Sequence, residues 1–136
     1  MFNKIFDQFA NPLDLFGRLF LAFMFVSAGV SKLGEGYAGT QGYMEAMGTP
    51  GALLPLVILL EILGGVLLAV GLFTRPSAFL LAGFSIIAGL IFHGNFADQM
   101  QMILFSKNIA LAGGLLALVA AGPRGWSIDA KRQAVN

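Results

Sequence analysis
Four side chains could bind a polar ligand or move a proton, and all four lie inside or at the edge of apolar runs: Glu61, Lys32, His93 and Lys107. Glu61 stands near the centre of ALLPLVILLEILGGVLLAVGLF, residues 52–73, a run long enough to cross a hydrocarbon layer. An acid at a helix centre costs roughly 2.5–3.5 kcal/mol to insert, and each Leu, Ile, Val or Phe returns about 0.3–0.6, so the helix inserts with its carboxylate turned away from lipid. A carboxylate sharing its depth with two lysines and an imidazole can form an ion pair, exchange a proton, or help to hold a polar ring substituent. The plainer alternative is charge neutralisation alone. Glu61 would then pair with Lys107 or Lys32, the lysines would reach for the interface, and His93 would bond a loop rather than a ligand. One histidine without neighbouring ligand residues predicts no metal site.

The elements that must position these groups are all helical. Residues 1–13 set Phe2, Ile5, Phe6, Phe9 and Leu13 against Asn3, Lys4, Asp7 and Gln8, the pattern of a short interfacial helix that Asn11-Pro12 is expected to end. Apolar spans follow at about 15–31, 52–73, 77–93 and 102–121. A cleaved leader is the alternative for the first span, but Asp14 and Arg18 spoil the layout of one. Between the first two spans, residues 33–51 read as a glycine-rich loop with a short helix around Tyr43 to Met47. The tail from Arg124 onward is polar and expected to be loosely ordered.

Within the spans, small residues mark the faces expected to pack. Gly64, Gly65, Leu68 and Gly71 follow Glu61, Gly29 precedes Lys32, and Ala110, Gly114, Ala117 and Ala121 follow Lys107 in phase. Four crossings return both termini to one side. Lys4, Arg18, Arg75, Arg124, Lys131 and Arg132 fall on that side, against Lys32 and Lys107 on the other, so the positive-inside rule places both termini in the cytoplasm. Arg18 and Arg75 then read as cytoplasmic-side anchors.

Composition narrows the class further. At 57% hydrophobic and 11% charged, the 136-residue chain is too apolar for a soluble domain and is expected to form one all-α membrane bundle. Without a basic stripe or an aromatic platform, a net charge of +1 gives nucleic acid nothing to bind. The absence of cysteine excludes a dithiol relay, thiol-attached haem and cysteine metal ligands. No G-x-G-x-x-G or P-loop pattern offers a flavin or nucleotide site.

The order of these features also resembles a known family. Arg18, Gly29 with Lys32, Tyr43 with Gly48-Thr49-Pro50, the E-x-x-G-G…G-x-x-T-R-P series from Glu61 to Pro76, and FSKNIALAGGLLALVAAGPRGWSID are similar to the DoxX family of small four-helix bacterial inner-membrane proteins, its enterobacterial members above all. The resemblance covers nearly the whole chain and implies an inner-membrane, multi-pass location. The family is named for a subunit associated with a terminal quinol oxidase. Some relatives are similar to thiosulfate:quinone oxidoreductase subunits, and others are linked to oxidative stress or aromatic-compound detoxification.

The resemblance therefore implies a redox-associated membrane component that binds a quinone or similar apolar aromatic, with a membrane redox partner or a second copy of the chain beside it. Two other readings stand next to it. One is a proton-coupled carrier in which protonation of Glu61 opens the bundle, although no inverted repeat is evident. The other is an assembly subunit whose ion pairs serve packing alone.

Overall fold
In a computed structural model the chain, described over residues 1–136, is helical throughout. The elements are α1 (Phe2–Gln8), α2 (Ala10–Ser31), α3 (Glu35–Ala46), a 3-10 turn (Gly51–Leu53), α4 (Leu54–Val70), α5 (Thr74–Phe92), α6 (Gln99–Ala121) and α7 (Ile128–Val135). Four of them, counting α4 with its preceding turn, are long and apolar enough to cross a membrane. Their outward faces carry Phe20, Phe23, Leu56 and Phe79, each more than 60% exposed, as a lipid-facing surface requires.

The spans pack in the order α2, α4, α5, α6, each neighbouring pair in close contact. Glycine sets the spacing. A Cβ on Gly65 of α4 would lie 2.7 Å from Val26 Cγ2 and 3.2 Å from the Ala22 carbonyl oxygen of α2, and one on Gly29 of α2 would lie 2.6 Å from Ile62 Cγ1 and 3.1 Å from Glu61 Cβ. These two glycines bring the α2 and α4 backbones together, and Gly64 presents the neighbouring face of α4 to Leu81 of α5. Where all four spans meet, Ala22, Phe25, Leu68, Ala78, Leu81, Ala82, Ala112 and Leu115 fill the core. A smaller cluster of Met44, Leu54 and Ile58 seats α3 against the start of α4.

Three segments differ from the expectation set by sequence. Pro12 does not terminate a helix but lies in the first turn of α2, where its missing N–H has no intrahelical partner to lose, so the span starts at Ala10 rather than near residue 15. The glycine-rich stretch after Lys32 forms a 12-residue helix instead of a loop. Each glycine there costs about 1 kcal/mol of helix propensity, but burial of Met44 outweighs local preference, and Gly36 sits so close to the Ser31 carbonyl that no side chain would fit.

The tail is the third difference, because it folds back as α7. Ser127 Oγ accepts from the Ala130 amide at its start. Asp129 accepts from the amides of Phe73 (3.0 Å) and Thr74 (2.8 Å), satisfying two free donors at the start of α5.

Candidate functional site
Residues near the far ends of α2 and α5, the first half of α4, and one face each of α3 and α6 surround a cavity of about 290 Å³. Its apolar wall includes Met24, Phe25, Met44, Phe84, Phe92 and Leu111, and its polar wall is made by Lys32, Thr40, Tyr43, Glu61, Ser85, His93 and Asn108.

Lys32 and Glu61 are the charged pair of this wall. Lys32 Nζ lies 3.0 Å from Glu61 Oε1 and 2.8 Å from Oε2, and it also donates to the Ala28 carbonyl in the last turn of its own helix at 3.1 Å. The Glu61 side chain is 5% exposed and that of Lys32 22%, so the acid is the buried partner. The approach of Gly29 to the Glu61 turn places Lys32, one turn further along α2, over the carboxylate. A carboxylate buried this deeply needs its cation, since removing one partner of such a pair strands the other.

The remaining polar groups come from three helices. His93 Nδ1 lies 2.9 Å from Gln101 Oε1, a contact that spans the α5–α6 connection. Tyr43 of α3 donates to the Phe92 carbonyl at 3.3 Å and sets its ring 5.6 Å from the Phe92 ring, fastening α3 over the cavity. Asn108 faces the cavity across from Gly89, where a Cβ would fall 3.2 Å from Asn108 Cβ and 3.3 Å from its Nδ2.

Three of the four chemically capable residues therefore meet, and Lys107 does not join them. It is exposed and makes no ion pair, and the stripe behind it is exposed too: a Cβ on Gly114 would come no nearer to another element than 3.9 Å from Leu21 Cδ2. The inward face of α6 runs instead through Asn108, Ala112 and Leu115. Asn108, Ser85 and Thr40 were not singled out by sequence. The available signal was that Asn108 and Ser85 are polar residues within apolar spans, a weaker mark than a charge because an amide or hydroxyl costs less to insert.

Arg18 is not an interfacial side chain. It is 1% exposed, and its guanidinium donates to Asp14 Oδ2 (2.9 Å), to the Leu68 (2.9 Å) and Ala69 (2.8 Å) carbonyls and to the Trp126 carbonyl. Two of these acceptors belong to the last turn of α4, where the Leu68 carbonyl takes one backbone donor, Gly71 N–H at 3.2 Å, so Arg18 completes the cap from a neighbouring helix. Gly71 ends that turn at φ 70°, and a Cβ there would strike Ser127. The G-x-x-T-R-P stretch is thus the seat of Arg18 and α7. Arg75 is exposed and donates to the Val119 carbonyl near the end of α6.

The apolar outer faces, the four spans and the ion pair buried among them together define a small multi-pass membrane protein. Its relatives identify that membrane as the bacterial inner one. The chain is 47% identical over 115 residues to inner membrane protein YqjF of Escherichia coli K12, covering 85% of this chain and 88% of that one. It is 33% identical over 128 residues to inner membrane protein YphA of the same organism, covering 88% and 91%. A Haemophilus influenzae protein is 42% identical over 67 residues, 49% of this chain and 48% of its own length. The DoxX family profile matches residues 13–94, and the chain belongs to the DoxX family. No solved structure matches it.

Proposed function
We propose that the protein is a redox-associated membrane component whose bundle cavity binds a quinone or a similar apolar aromatic. The observation that carries this reading is the cavity itself. It is aromatic-walled, about 290 Å³ in volume and built around the pair of half-buried Lys32 and buried Glu61. Ligand pockets run from about 300 to 1,000 Å³, so this one suits a single ring rather than a fused system.

Phe25, Phe84, Phe92 and Tyr43 offer ring faces, and the polar groups of Lys32, Glu61, His93 and Asn108 converge on the same space. A pair used only to neutralise charge would gain most from tight packing on every side, whereas this one borders open volume. The chain supplies no redox group of its own in this reading. The bound molecule or a membrane partner carries the electrons.

Saturable binding of a short-tailed ubiquinone analogue to the purified protein tests the proposal. One site per chain is expected, with the affinity of the reduced, hydroxyl-bearing form of the analogue falling about tenfold in Glu61→Gln, the cost of disturbing one charged hydrogen-bond group. No saturable binding to the wild-type protein, or unchanged binding in Glu61→Gln, would sink it.

A further inference from the structure
We infer that the cavity selects the hydroxyl-bearing form of its ring ligand, a hydroquinone, catechol or phenol, over the carbonyl form. This rests on the aromatic-ligand reading above and is carried by the distribution of hydrogen-bond donors around the cavity.

The donors are already committed. The three protons of the Lys32 ammonium face three acceptors, the Ala28 carbonyl and both oxygens of Glu61, all within 3.1 Å. The single protons of Ser85 and Thr40 go to the Leu81 and Gly36 carbonyls one turn back, each at 2.8 Å, and that of Tyr43 goes to the Phe92 carbonyl. His93 turns Nδ1 to Gln101 Oε1 at 2.9 Å, and the tautomer that donates there presents Nε2 as an acceptor. Asn108 alone, its amide free of protein partners, keeps donors for a ligand.

Acceptors, by contrast, remain in excess. Each carboxylate oxygen of Glu61 has lone-pair capacity beyond Lys32, and each hydroxyl oxygen keeps lone pairs; Nε2 of His93 adds another in the tautomer that donates to Gln101. A ring O–H entering this space finds several acceptors. A ring carbonyl finds the Asn108 amide and otherwise meets lone pairs, with its own left unpaired. A site built to bond a hydroxyl rejects an analogue that lacks it far more strongly than an apolar pocket distinguishes sizes.

The test compares three probes of one ring size on the full-length protein in nanodiscs under argon, by equilibrium dialysis: durohydroquinone, duroquinone and the dimethyl ether of the hydroquinone. The hydroquinone is expected to bind at least tenfold more tightly than the quinone, with the ether falling to the level of the quinone. In Asn108→Leu the quinone should lose more affinity than the hydroquinone, widening the ratio. Equal affinities, a preference for the quinone, or an ether as tight as the hydroquinone would overturn the donor argument while leaving an aromatic pocket in place. Binding of none of the three would overturn both.

Discussion

At the scale of single residues, two charges in α2 do different work. Lys32 borders the cavity and neutralises Glu61, while Arg18, 14 positions earlier and about 21 Å away along the helix, holds the opposite end of the bundle together. Its planar fork reaches Asp14, two carbonyls of α4 and one beyond α6 at once. A lysine ammonium at that position would keep the charge without the geometry. Arg18→Lys is therefore expected to lower the stability of the purified protein by about 2–3 kcal/mol, because buried carbonyls lose a charged donor. Thermal or denaturant unfolding in detergent measures this, and a wild-type unfolding midpoint for Arg18→Lys would refute the capping role.

At the scale of elements, α7 carries the clearest pH dependence. Burial alone would raise the proton affinity of Asp129, but the Thr74 and Phe73 amides, with Arg132 nearby, outweigh it and hold the carboxyl below its ordinary value. Because the folded value is the lower one, this contribution to docking is complete above the unfolded Asp value of about 3.9 and is lost as pH falls through the depressed folded value. Trp126, the only tryptophan, precedes α7 and offers its carbonyl to Arg18, so its emission reports the docking. The emission should stay constant from neutral pH down to about pH 4 and change below it. In Asp129→Asn it should already be altered at neutral pH, with that acid step missing. An acid step of the same size in both proteins would rule out Asp129 as its origin. The helical character of α3 and α7 was hard to read from sequence for a related reason. Their stability comes from Met44 and Asp129 meeting other helices, and local propensity records neither contact.

At the scale of the whole molecule, one half of the bundle is filled and the other is hollow. Toward the termini the small core residues, Arg18 and α7 close the structure. Beyond Phe25 the spans and α3 leave the cavity between them. We propose from the positive-inside rule that the filled end faces the cytoplasm and the hollow end the opposite side. The lack of native cysteine makes this directly testable with single replacements at exposed positions. With a membrane-impermeant maleimide, Glu35→Cys should label on intact spheroplasts, and Lys131→Cys only after the membrane is opened. The reverse pattern would invert the orientation.

Sequence by itself determined the four spans, the inward turn of Glu61 and the glycine face that buries it, because a charge and a run of glycines in an apolar helix have few places to go. It did not determine which lysine pairs with Glu61. Lipid and helix interior are both apolar, so hydrophobicity does not fix the rotation of α6 about its own axis, and the small-residue stripe behind Lys107 pointed to the wrong face. The tertiary structure decided it through two close approaches. Gly29 against the Glu61 turn brings Lys32 to the carboxylate, and Gly89 against Asn108 turns α6 so that the amide faces the cavity and Lys107 faces out.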